Sequence, residues 1–214
     1  NSGGIYTSVD GTSWMSRTSG TSNQLNGITY GNNTFVAVGN SGTILTSSDG
    51  TIWTTRTSGT SNWLHGITYG NNTFISVSDK GNIYTSSDGT SWTHSYIGST
   101  DNQNGITYGN STFVIFGEFG KIYTSTNGTS WSSRTSATGN HLSGVTYGNS
   151  TFVAVGSSGT ILTSSDGTTW TSRTSGTSNA LWGITYDNST FVTVGNSGNI
   201  LTSSDGTSWD NRTS

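Results

Sequence analysis

The chain has 214 residues with no cysteine, no proline, one methionine and 17 charged side chains, so only 8% of it is charged, against about 25% in an average soluble domain. The absence of cysteine excludes a disulfide framework and a thiolate zinc site, and no apolar run approaches the roughly 20 residues that a membrane helix needs. A formal net charge of −3 and seven basic residues speak against a nucleic-acid partner, because that affinity comes mostly from neutralised phosphates. Leu, Ile, Val and Phe number 38, or 18%, below the rough 20% mark that accompanies disorder. Disorder also needs a high net charge, which is lacking, and eight Trp, nine Tyr and seven Phe supply large areas to bury.

In chain order, the dominant feature is repetition. Trp14, Trp53, Trp92, Trp131, Trp170 and Trp209 are 39 residues apart every time, and so are Tyr30, Tyr69, Tyr108, Tyr147 and Tyr186. Phe35, Phe74, Phe113, Phe152 and Phe191 keep the same step. A period that never slips predicts one domain built as an array of identical units. Residues 1–19 are an extra half repeat, and 20–58, 59–97, 98–136, 137–175 and 176–214 are five whole repeats.

Within the first whole repeat the pattern predicts four strands. They are Gly27–Tyr30, Thr34–Val38, Thr43–Ser47 and Thr51–Arg56, separated by Gly31-Asn32-Asn33, Gly39-Asn40-Ser41-Gly42 and Ser48-Asp49-Gly50. Gly, Asn and Asp suit the turns because they reach positive φ at little cost, and Thr and Val suit a pleated surface. No helical period is present. Four short antiparallel strands in a repeat of about 40 residues make the blade of a β-propeller. The expected fold is therefore all-β: five four-stranded blades plus one redundant outer half-blade. Residues 1–19 and 196–214 are near-duplicates, and both could pair with the inner strands of 176–195. One copy is expected to close the last blade, leaving the other displaced or engaged in self-association with a neighbouring chain.

Ser47-Ser48-Asp49-Gly50-Thr51-Ile52-Trp53 resembles the Asp-box, or BNR, repeat of sialidases and of many non-enzymatic propellers. The resemblance extends over the whole chain through six copies. It implies a structural hairpin between the third and fourth strands. The spacing departs from the family pattern Ser-x-Asp-x-Gly-x-x-Trp by one residue between Asp and Trp, and Asn127 replaces Asp in the fourth copy. An Asn oxygen can still accept a turn hydrogen bond, so the role reads as geometric and not ionic.

The copies differ mainly on one face, the one carrying the linker into the first strand and the turn between strands two and three. Beside the linker leucine, one position reads Gln24, Trp63, Asn102, His141, Ala180, and the other Asn26, His65, Asn104, Ser143, Trp182. The turn pair reads Asn40-Ser41, Asp79-Lys80, Glu118-Phe119, Ser157-Ser158, Asn196-Ser197. Two readings stand. Loops tolerate change where hairpin turns do not, or this face binds a ligand through Gln24, Asn26, Trp63, His65, Asn102, Asn104, His141, Ser143 and Trp182. Aromatic faces rimmed by amides suit sugar rings or flexible peptides.

Chemistry is harder to place. Glycoside hydrolysis usually needs two carboxylates flanking the bond, but Glu118 is the only Glu. Five Asp belong to Asp-boxes, and Asp187 holds a Gly-type turn position. Asp79, Asp101 and Asp210 remain, in different repeats. Arg17, Arg56, Arg134, Arg173 and Arg212 fall at equivalent places on outermost strands. His65, His94 and His141 occupy three different repeat positions, and a metal site would need them to converge. No catalytic residue, metal or cofactor is therefore expected. Seven Asn-x-Ser/Thr sequons begin at Asn32, Asn71, Asn110, Asn127, Asn149, Asn188 and Asn211, and turn chemistry accounts for most of them. A Ser/Thr-rich, cysteine-free chain starting at Asn1 reads as a mature or excised extracellular or cell-surface segment. The functional expectation is a non-enzymatic binding module, glycan-directed first. A protein-interaction scaffold is the alternative, which a resemblance to photosystem-assembly-type repeats implies. A purely structural array, amplified or designed, is the third reading.

Overall fold

A computed structural model describes residues 3–212. They fall into two compact units, Asn1–Thr100 and Asp101–Ser214. In the first unit, β1 (Ile5–Thr7) and β2 (Met15–Arg17) form a two-stranded antiparallel sheet. Two four-stranded blades follow. One is β3 (Leu25–Gly31), β4 (Thr34–Gly39), β5 (Ile44–Ser47) and β6 (Thr54–Arg56); the other is β7 (Leu64–Gly70), β8 (Thr73–Ser78), β9 (Asn82–Ser86) and β10 (Thr93–Tyr96). The second unit holds three more blades. These are β11 (Gln103–Gly109) to β14 (Ser132–Arg134), β15 (Leu142–Gly148) to β18 (Thr171–Arg173), and β19 (Leu181–Asp187) to β22 (Asp210–Arg212). In every blade the strands pair in chain order, as the turn signals predict.

The β3–β4 hairpin shows why. Asn32 and Asn33 both hold positive φ, 46° and 55°, the two-residue turn whose twist matches the flanking strands. That turn sets Tyr30 opposite Phe35, and the two rings meet at a tilt of 50° with centroids 4.5 Å apart. Phe35 in turn lies 6.4 Å from Trp53. The same Tyr–Phe–Trp ladder recurs as Tyr147, Phe152 and Trp170. Successive blades pack these ladders against the strand residues of the blade before. Phe74 is buried with Val36, Val38 and Ile44 in the first unit, and Phe152 with Val114, Phe116 and Ile122 in the second.

Two expectations are corrected, and a third is made specific. The fourth strand starts at Thr54, not Thr51, because the Asp49 carboxylate captures the backbone N–H groups of Thr51 and Ile52 at 2.8 and 3.0 Å. The Gly31 position is not a positive-φ turn, so Asp187 does not substitute for a turn glycine there. What Gly31 provides is close approach: a β-carbon on it would lie 2.1 Å from Tyr69 Cγ. For the half repeat, one copy closes the last blade and the other is displaced, as expected. β20 (Thr190–Gly195) pairs with β21 (Ile200–Ser203), so the C-terminal copy completes the fifth blade. The N-terminal copy packs on the first blade, with Ile5 buried against Ala37 and Leu45. Thr7 Cγ2 lies 3.7 Å from a β-carbon placed on Gly50, as Thr46 Cγ2 lies 3.6 Å from one on Gly89. The half repeat thus sits as the outer half of a preceding blade would.

The Asp hairpin is a hydrogen-bond knot. In the first blade Ser47 Oγ donates to Asp49 at 3.0 Å and accepts from Gly50 N–H at 2.9 Å, and the Trp53 indole donates to Gly50 O at 3.0 Å. Asn127 keeps the carboxylate's main role, accepting from the N–H groups of Thr129 and Ser130 at 2.9 Å each. The role is geometric, as the substitution suggests. Bonds from the Thr51 hydroxyl and from the Ile52 and Thr51 N–H groups hold the Asp49 carboxyl well below the usual carboxylate range. Asp88, Asp166 and Asp205 are lowered in the same way, and Asp10 chiefly by Ser13 and Thr12 N–H. A carboxylate whose folded pKa is depressed stabilises the fold above its unfolded pKa, and that contribution fades as pH falls through the folded value. The melting temperature is therefore expected to drop progressively below about pH 4. Changing all five hairpin Asp to Asn should flatten the acid limb in a thermal-melt series. An unchanged limb would show that these knots carry no proton linkage.

Candidate functional site

In each four-stranded blade, the first strand carries a β-bulge at one fixed place. Leu25 pairs with Gly39 and Gly27 with Val38, so Asn26 is the extra residue. The same shift isolates His65, Asn104, Ser143 and Trp182. All five are positions where the copies differ. Bulges re-aim a side chain out of the sheet's alternation and recur next to functional sites.

In the first unit the bulged side chains reach the turn between the second and third strands of their own blade. Asn26 Nδ2 donates to Asn40 Oδ1 and to Leu64 O, both at 2.9 Å, and His65 Nε2 meets Asp79 Oδ1 at 2.6 Å. Gln24 is exposed, and Trp63 is 52% exposed beside half-buried His65. Ser78 Oγ bonds Trp63 O at 2.7 Å and so fixes the backbone beneath that indole.

In the second unit Asn104 Nδ2 donates to Leu142 O at 2.7 Å, repeating the Asn26 bond to the following blade. Asn102 Nδ2 meets Glu118 Oε1 at 3.3 Å. Trp182 Nε1 donates to Asn196 Oδ1 at 2.6 Å and leaves the ring 56% exposed. His141 is exposed and lies 5.0 Å, centroid to centroid, from Phe119. Half-buried Ser143 completes the bulge series.

Phe119 joins the candidates beside His141, and sequence reasoning left it out of the set. It holds φ 54° and is 56% exposed. Ser41, Lys80, Ser158 and Ser197 share that backbone conformation, in which a bulky side chain is an outlier. The signal was available: a lone aromatic in a turn where other copies carry Ser or Lys.

The opposite side of the blades carries the uniform turns, and three of these are cross-linked to the next blade. Asn32 Nδ2 reaches Ser87 O at 3.5 Å, and Asn149 Nδ2 reaches Ser204 O at 3.3 Å, each joining a first turn to the Asp hairpin of the next blade. The arginines are tied down as well, with Arg56 Nε on Thr46 Oγ1 and Arg173 Nε on Thr163 Oγ1, both at 2.8 Å. Four of the five carboxylates outside the Asp hairpins have local partners. Besides the Asp79 and Glu118 contacts, Asp101 lies 4.0 Å from Lys121 Nζ and Asp210 3.2 Å from Arg212 Nη2. His94 Nε2 meets Asn82 Oδ1 at 2.7 Å. Among the described residues, no group of three or more His, Cys, Asp or Glu side chains could hold a metal ion.

No protein-family model and no curated protein sequence matches the chain. Solved structures do. YCF48 from Cyanidioschyzon merolae is 15% identical with a TM-score of 0.75, covering 99% of this chain and 79% of that one. YCF48 bound to D1 peptide is 19% identical with a TM-score of 0.68 over 88% of this chain, which spans 66% of that protein. The nidogen/laminin complex matches at 13% identity and a TM-score of 0.71, covering 96% of this chain and 86% of that one. A GH74 enzyme from Niastella koreensis matches at 20% identity and 0.65, with 98% of this chain covering 37% of the enzyme. The fold is a β-propeller. At these identities the likeness shows the fold alone, and the five four-stranded blades and the half-blade are blades in that sense.

Proposed function

We propose that the chain is a non-enzymatic propeller of the Asp-box type that binds an extended peptide segment of a protein partner through the variable loop face. The observation that carries this is the bulge, which in each of the five blades turns out the residue at which the copies differ. Around it, exposed aromatic rings stand beside amide, imidazole and hydroxyl groups. In each unit such a surface offers stacking area and hydrogen bonds to a peptide backbone. YCF48 with its D1 peptide and nidogen with laminin supply propeller precedents for protein partners. The local partners of Asp79, Asp101, Asp210 and Glu118 favour binding over hydrolysis.

A glycan is the second reading, favoured by Trp182. Its edge is fixed on Asn196 while its face stays open, a stacking platform with an adjacent amide. Panning the intact chain against a random-peptide library and a glycan array separates the two. Enrichment of peptides whose binding is lost in the Trp63→Ala, Phe119→Ala and Trp182→Ala variants is the expected result. Glycan hits with no peptide enrichment would replace the peptide reading. Silence on both, with an unaltered melt, would leave a structural array.

A further inference from the structure

The half-blade leaves a slot. In complete blades of the first unit the third strand is paired on both sides: β5 with β4 and β6, and β9 with β8 and β10. β1 occupies the third-strand place, and its one partner among the described residues is β2. Beside that edge lies a cleft of about 330 Å³ floored by Ile5, Leu25, Ile28 and Ala37. The first blade's face toward it is bare. Ile28 is 58% exposed, whereas Ile67, its equivalent packed on the first blade, is 8% exposed. Tyr30 is 54% exposed, and Phe35 is half-buried where Phe74, Phe152 and Phe191 are fully buried.

The neighbouring blades show what such a face takes. Tyr69 lies over Gly31, Tyr147 over Gly109 and Tyr186 over Gly148, and in all three a β-carbon on the glycine would sit 2.1 Å from the ring's Cγ. Rotating the ring cannot relieve this, because Tyr69 Cβ itself would lie 2.7 Å away. An inner hairpin seated in the slot must therefore present Gly under Tyr30. Gly31, Gly70, Gly109 and Gly148 meet that requirement in the first four blades, and the fifth has Asp187. Asp187 is exposed, and so is Val194 on the same hairpin, where Val38 and Val155 are buried.

We infer that the slot beside β1 is a docking site for a two-stranded hairpin of this repeat's inner-strand chemistry, with Gly at the place of Gly31. Asp187 is the specificity residue that keeps out the fifth-blade hairpin of a second copy, whose outer strand β20 would have to exchange β21 for β1. The occupant's outer strand pairs with the open edge of Ile5–Thr7, and its glycine receives Tyr30. The array thus accepts a blade ahead of its first one and refuses head-to-tail growth from its last.

A synthetic peptide of residues 20–39, added to the full chain, tests this by hydrogen exchange and titration calorimetry. The expected result is 1:1 binding with new protection of the Ile5–Thr7 amides. The same peptide carrying Gly31→Asp should bind at least about tenfold more weakly. In parallel, Asp187→Gly in the full chain should give concentration-dependent association by sedimentation, where the unaltered chain sediments as one copy. Equal binding of the two peptides, or no protection at millimolar peptide, would overturn the docking site. An unaltered chain that already dimerises with β1 protected, or an Asp187→Gly chain that stays single, would overturn the role of Asp187.

Discussion

Phe152→Ala is expected to destabilise the protein by about 3–5 kcal/mol. Its ring is fully buried, tilted against Tyr147 at 4.6 Å and lying 6.4 Å from Trp170, within the cluster that holds Val114, Phe116 and Leu142. Truncation removes the ladder's middle rung and leaves a cavity between two blades whose strands cannot collapse without breaking register. Trp63→Ala removes a ring of similar area from an exposed place, and its cost should stay within about 0.5 kcal/mol. Chemical denaturation of the two variants reads the contrast. Equal shifts in midpoint would abolish the division between a repeated core and a variable face.

Gly148→Ala should cost about 1–3 kcal/mol although it adds a single methyl group. That methyl enters the Tyr186 ring at its base, where side-chain rotation gives no relief. Asp187→Ala, at the matching place in the last blade, keeps a β-carbon on an exposed residue and should change stability by no more than about 0.5 kcal/mol. A melt series over both variants is sufficient. A neutral Gly148→Ala would show that the blades slide apart easily, and the close packing of tyrosine on glycine would lose its importance.

Much of this architecture was legible in the repeat. The 39-residue period set the strand count and order, and the Asn-Asn and Asp-Gly signals fell in turns, because those residues act locally through their own φ preference and side-chain bonds. Two features were not legible, for one physical reason. The glycine under each tyrosine looks like a turn glycine, since sequence shows a missing side chain without showing what approaches it. The bulge at Asn26 is equally silent: Leu-Asn-Gly reads as ordinary alternation, and only pairing to Gly39 and Val38 reveals the extra residue. The variable positions were found by comparing copies, but their hydrogen bonds to the second turn, such as His65 to Asp79, link residues 14 apart. For the half repeat, near-identity with 196–214 describes pairing potential and does not say which blade the displaced copy packs against.

The most direct test of the loop face as the binding surface is calorimetric affinity for one library-selected peptide. It should be measured on the unaltered chain, on a Trp63→Ser/Phe119→Ser/Trp182→Ser variant, and on an Asn32→Ser/Asn149→Ser control that alters only the uniform face. The prediction is a loss of at least about tenfold in the first variant and none in the control. Undiminished binding by the aromatic variant, or an equal loss in the control, would contradict it.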